Sequence, residues 1–173
     1  MQTTRDMGFS QLYDDYFARV YNYVRYRVED AATADDVVSG VFERILGKMD
    51  TYRPERGPLD AWVFAVARNG VNDHFRSRRW RSWLPLDLLP ERASREPEAP
   101  ALLEEEETRR ALTVALRGLD DRERDLLGLR FGTGISNREI ASMTGLTESN
   151  VGVILHRAVK RLQAAMGGTG GGE

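Results

Sequence analysis

The sequence predicts an all-α chain: two small helical domains joined by a flexible acidic linker. Three observations lead there. Apolar residues recur at three- and four-residue steps through both ends of the 173-residue chain, the helical period, and no stretch alternates as a strand would. Four of the six prolines fall between Pro85 and Pro100, where a continuous helix cannot run. Charge is also segregated. Residues 67–81 carry five arginines against one acid, residues 87–107 eight acids against two arginines, and 156–161 three cations. The formal charge of −2 therefore hides two basic patches separated by an acidic segment.

The first block, residues 8–81, opens with Phe9, Leu12, Tyr13, Tyr16, Val20, Tyr23 and Val24 at helical spacing. Thr33, with Asp36 three positions on, reads as a capping pair for a second helix whose apolar stripe is Ala34, Val37, Val38, Val41, Phe42 and Ile45. Two prolines and a glycine make 52–60 a loop. A third helix follows, with Leu59, Trp62, Val63, Val66, Ala67 and Val71 on one side, and runs on into the arginine cluster. Residues 82–107 have little to bury and read as an interdomain linker.

The second block, 108–166, starts with the stripe Ala111, Leu112, Ala115, Leu116 and Leu119. Asp120 with Glu123 offers a capped start to a helix containing Leu126, Leu127 and Leu129. "FGTGIS" is a break, after which Ser136 and Glu139 match a capping box. Gly145 permits a sharp turn because it tolerates positive φ, and Thr147 can cap the last helix. In that helix Val151, Leu155, Ala158 and Leu162 form a buried side, which turns Ser149, Val153, His156, Arg157 and Lys160 outward. This is the geometry of a helix that enters the DNA major groove, although a plain helical hairpin has the same pattern. Residues 167–173 read as a flexible tail.

Composition excludes several classes. No apolar run is long enough for membrane insertion, and the N-terminus has no basic-then-apolar segment, so cytoplasmic residence is expected. Without cysteine there are no disulfides or thiolate ligands. The two histidines, His74 and His156, lie far apart, so neither a metal site, a cofactor nor histidine-based catalysis is expected.

Three runs in the first block, "LYDDYFARVYNYVRYRV", "ADDVVSGVFERIL" and "AWVFAVARNGVNDHFRSRR", together with "LDDRERDLLGLRF" and "SNREIASMTGLTESNVGVILHRAVKRL" in the second, resemble a bacterial RNA polymerase sigma factor of the extracytoplasmic-function (ECF) group. The first block looks like the sigma-two domain and the second like the sigma-four domain.

The resemblance implies a partner and two DNA sites. Core RNA polymerase would be bound by the second helix, through Asp36, Val37, Phe42, Glu43 and Arg44, with Val37 and Phe42 equally readable as core. Ser39-Gly40 stands where the family often has Gln-Glu. The −10 element would be read as an opened strand. Tyr52, Arg53 and Arg56 of the loop and Asn69, Asn72 and Asp73 of the third helix would serve the bases, while Arg68, Arg76, Arg78 and Arg79 would serve phosphates. Trp62 reads as core, whereas Trp80 and Trp83 suit either stacking on DNA or packing.

The −35 element would be read as duplex by Thr147, Glu148, Ser149, Asn150, Val153 and His156, with Arg157, Lys160 and Arg161 suited to phosphates. The Gly152-Val153-Ile154 stretch lacks the cations common there in the family. The linker would thread through cationic channels of the polymerase, an anti-sigma protein is an expected partner, and no catalysis is implied. A two-part helix-turn-helix activator is the alternative. It explains the C-terminal helices but not the arginine run. A nuclease using Asp35 and Asp36 finds no carboxylate–histidine constellation.

Overall fold

The computed structural model describes residues 8–82 and 103–167, without the side chains of Trp80, Arg81 and residues 103–106. The expectations for Trp80, Trp83, most of the linker and the residues after 167 lie outside what is described. Seven α-helices carry the fold, and no strand occurs among the described residues.

Helix α1, Phe9–Arg27, is the central element. Leu12, Val20, Tyr23 and Val24 are fully buried, and Tyr16 nearly so. Tyr13, expected in the same stripe, rides at its edge with 39% exposure, its ring 4.6 Å from that of Phe42 and 5.1 Å from that of Phe17. The chain turns at Val28, and α2 runs over Ala31–Lys48. Its cap differs from the sequence expectation. Asp30, in an extended conformation, accepts the Thr33 N–H at 2.8 Å and the Thr33 hydroxyl at 2.6 Å. Thr33 is thus the third helical residue rather than the cap, because the chain enters the helix three positions earlier, at two alanines that favour it. The Asp30 carboxyl is held below the usual carboxylate range by these hydrogen bonds from Thr33.

Two short 3-10 turns, Met49–Thr51 and Pro54–Arg56, occupy the expected loop. Helix α3, Leu59–Arg81, packs on α1 and α2 with Val63, Phe64, Ala67 and Val71 fully buried. Helix α4, Leu103–Arg117, begins within the segment assigned to the linker. Pro100 is the last proline, and nothing after it interrupts helical hydrogen bonding.

Helix α5, Asp121–Leu127, opens with the expected capping box between Asp120 and Glu123. It passes into a π turn, Gly128–Gly132, so the helical path continues into the first residues of the expected break. Helix α6, Asn137–Thr144, and helix α7, Glu148–Gly167, complete the second bundle. Leu116, Leu119, Leu126, Leu127, Leu129, Ile140, Val151, Leu155 and Ala158 make its core, which is continuous with that of the first. The seam between the two runs along α1, which meets α5 and the π turn.

Candidate nucleic-acid interfaces

The α6–α7 pair is built by local chemistry. The Glu139 N–H donates to the Ser136 hydroxyl at 3.2 Å, and the Ser136 N–H donates to the Glu139 carboxylate at 2.9 Å. This reciprocal box satisfies two of the free donors at the start of α6. Gly145 ends α6 in the left-handed region, φ 72°, with its N–H on the Ala141 carbonyl at 3.0 Å. The Thr147 hydroxyl then accepts the Asn150 N–H at 3.1 Å, capping α7.

Val151, Leu155 and Ala158 face inward against the core that contains Ile140. Glu148, Ser149, Asn150, Val153, His156, Arg157 and Lys160 are exposed, as is Thr147 before them. Arg161 is exposed too, but its guanidinium is bound within the fold. One guanidinium nitrogen donates to both carboxylate oxygens of Glu123, at 2.8 and 2.7 Å, and the other donates to the Gly118 carbonyl at 2.8 Å. Its guanidinium therefore joins α7 to the start of α5.

The second surface lies on α3 and the preceding loop. Tyr52 is half-buried, its hydroxyl donating to the Gly57 carbonyl at 3.2 Å and its ring packed on Trp62, so it closes the loop. Trp62 is itself half-buried against the core. Arg53 and Arg56 are exposed, and the Arg53 guanidinium donates to the Asp50 and Tyr52 carbonyls. Along α3, Asn69, Arg76, Arg78 and Arg79 are exposed. Asp73 is shared, accepting Arg44 of α2 at 2.6 Å and Arg76 at 3.1 Å. Hydrogen bonding from Arg44 holds the Asp73 carboxyl below its usual range. Arg68 and Asn72 point elsewhere: Arg68 donates to Asp125 of α5 at 2.8 Å, and the Asn72 side-chain oxygen accepts Arg27 at 3.1 Å.

On α2, Asp36, Ser39, Glu43 and Arg44 are exposed, and the helix runs unbroken through Gly40. Val37 and Phe42 belong to the core at 7% and 4% exposure, which corrects their reading as surface contacts. They fall on the helix face turned to α1 and α3, and their role is to hold the exposed face in place. A cleft of about 740 Å³ lies between α2 and α3, with Asp36, Arg44, Asp73 and Arg78 among its lining.

Sequence reasoning missed the charged residues that organise this frame. Arg27 and Asp125 are 7% and 5% exposed. Each stands in the buried register of an apolar stripe, Arg27 four positions after Tyr23 and Asp125 just before Leu126, and a charge in that register is the signal that could have found them. Elsewhere in the frame, Asp60 accepts hydrogen bonds from Arg19 and Tyr16. Burial raises the pKa of this carboxyl, but the Arg19 and Tyr16 hydrogen bonds outweigh it and leave a net lowering. Burial, with Asp60 beside it, pushes the Tyr16 hydroxyl well above its ordinary value. Among the described residues no cluster of acids and histidines fits a metal ion, and no helix is long and apolar enough to cross a membrane.

Both blocks of the chain match known families. The family described as Sigma-70 region 2 matches residues 12–81, and that described as Sigma-70, region 4, matches residues 115–164. The chain is 36% identical over 157 residues to the ECF RNA polymerase sigma factor BldN of Streptomyces coelicolor, covering 90% of this chain and 59% of that protein. It is 31% identical over 161 residues to the ECF RNA polymerase sigma factor SigL of Mycobacterium tuberculosis, covering 90% of this chain and 86% of that one. Its fold is like that of the sigma factor RpoE of Bartonella quintana, solved in complex with the anti-sigma factor NepR. The TM-score is 0.71 at 20% identity, over 91% of this chain and 96% of that one.

Proposed function

The chain belongs to the ECF RNA polymerase sigma factors, and from that premise we propose how its surfaces divide the work of starting transcription. It joins core RNA polymerase through the exposed face of α2, where Asp36, Glu43 and Arg44 stand clear of the core. The loop residues Arg53 and Arg56, with Asn69, Asp73, Arg76, Arg78 and Arg79 of α3, take the opened −10 strand: cations on phosphates, amides on base edges. Tyr52 shapes that loop. Helix α7 reads the −35 duplex from Thr147 to His156, with Arg157 and Lys160 on phosphates.

The observation that carries this reading is the two-sided α7. It has an apolar back seated on a capped α6 and an exposed polar front, in a chain whose other half presents a comb of arginines. Each face is modest, and two linked sites gain from effective concentration, so an overall acidic protein can still hold a promoter. The acidic segment that precedes α4 serves as the tether across the polymerase, and an anti-sigma protein is the partner that would silence the chain. The protein performs no catalysis itself and works where the polymerase is, in the cytoplasm.

The test is reconstitution with core polymerase, followed by run-off transcription from genomic fragments that the complex retains. Specific starts are expected. A chain that binds duplex DNA tightly by itself and ignores polymerase would instead be a two-part activator.

A further inference from the structure

The two bundles are fastened to each other by a buried ionic junction. Asp125 of α5 accepts three hydrogen bonds from the first bundle: the Tyr23 hydroxyl at 2.7 Å and Arg27 at 2.7 Å on one oxygen, and Arg68 at 2.8 Å on the other. The side chains of Arg27 and Asp125 are 6% and 7% exposed. Arg27 is held further by Asn72 and by the Phe75 ring, 5.3 Å from its guanidinium carbon. Farther along α1, Arg19 donates twice to the Thr133 carbonyl, at 2.9 and 2.8 Å. At the other end, Glu29 pairs with Arg117 at 2.9 Å.

Backbone approach is close at the same seam. A Cβ at Gly132 would lie 3.1 Å from the Tyr23 nitrogen, and one at Gly128 would lie 2.9 Å from the Tyr23 ring. Both positions of the π turn thus need glycine for α1 to come this near.

Arg68 and Asn72 are among the groups assigned to the −10 strand; Arg68 is spent on Asp125 across this junction, while Asn72 accepts Arg27 of its own bundle. A phosphate and the Asp125 carboxylate compete for the same guanidinium. We propose that Asp125 is a latch: docking of the second bundle on the first holds the chain closed and withholds Arg68 from nucleic acid until the bundles part. The latch is a property of this chain alone. Only the identity of the withheld ligand rests on the function proposed above.

The physics suits a two-state device. A buried carboxylate between two guanidinium groups is satisfied only when the bundles meet, and removing one partner strands the other charges. A ligand that binds only the open state has its apparent affinity reduced by the fraction of chains that are open. If closed chains outnumber open ones tenfold or more, releasing the latch tightens binding by about tenfold or more.

The chain has no cysteine, so two introduced ones report cleanly. Ser10→Cys on α1 and Gln163→Cys on α7, both exposed positions, carry a donor–acceptor dye pair in the full chain. Asp125→Ala is expected to lower energy transfer between the dyes. It should also tighten binding of a labelled single-stranded DNA oligonucleotide of mixed sequence by about tenfold. Adding Arg68→Gln should take back part of that gain. If Asp125→Ala costs helix content by circular dichroism, Gly132→Leu forces the seam apart without touching the ionic groups and should open the chain likewise.

Unchanged energy transfer in a folded variant overturns the latch, whatever the polymerase does. Opening without tighter DNA binding overturns the withholding, and with it the place of Arg68 in the −10 site. Run-off initiation remains the separate test of the sigma-factor reading.

Discussion

Two arginines one turn apart on α7 should behave differently in the same binding experiment. Arg157 is exposed on the front of the helix, whereas Arg161 is turned back onto Glu123 and the Gly118 carbonyl. Each phosphate contact contributes about 0.9 to the slope of log affinity against log salt on duplex DNA. Arg157→Ala should therefore flatten the slope by about that amount. Over a fourfold rise in salt, wild type should lose about 3.5-fold more affinity than the variant does. Arg161→Ala should leave the slope unchanged.

The cost of Arg161→Ala appears instead in stability. Glu123 is nearly buried, at 10% side-chain exposure, and loses a two-oxygen contact while keeping its cap. Hydrogen bonds to charged groups contribute about 1.5–3 kcal/mol, and Arg161 is 55% exposed, so a loss of about 1–2 kcal/mol is expected. The assay is fluorescence anisotropy of polymerase holoenzyme on a −35 duplex across a salt series, with denaturant melts of each free variant. A slope change for Arg161→Ala equal to that of Arg157→Ala would show that Arg161 leaves Glu123 for DNA, and would refute its assignment as a structural tie.

Other outcomes follow from the same geometry. Arg78→Ala with Arg79→Ala should weaken open-complex formation, read by permanganate reactivity, more than closed-duplex retention; equal losses would count against α3 as the −10 surface. Gly145→Ala should destabilise by about 1–2 kcal/mol, because it forces a Cβ into the left-handed region at φ 72°; chemical denaturation reads this directly. The Asp60 carboxyl has its folded pKa lowered, so its contribution is present above the unfolded value near 3.9 and is lost as pH falls through the folded value. Asp60→Asn should accordingly shrink the stability gap to wild type as a melt series moves from neutral to acid; a constant gap would show that the Arg19 and Tyr16 bonds do not favour the ionised form.

Much of the site was legible before any tertiary contact was known, wherever the signal is local. The capping boxes at Asp120 and Ser136, the left-handed Gly145 and the inward spacing of Val151, Leu155 and Ala158 all stand as the pattern implies. Caps, turns and helical period depend on residues within about four positions of each other. The local pattern misled at the start of α2, where Asp30 and Thr33 both carry capping oxygens and the chain used the earlier one.

The amino-acid order by itself determined the helices, the outward face of α7 and the two separated basic patches. Only the tertiary structure decided which charges remain for a ligand. Arg78 and Arg79 stay exposed, whereas Arg68 is drawn to an aspartate 57 residues away and Arg161 to a glutamate 38 residues away. An ion pair has no sequence period, since its partner is set by which helices meet. Those meetings follow from the burial of apolar stripes and the close approach at Gly128 and Gly132.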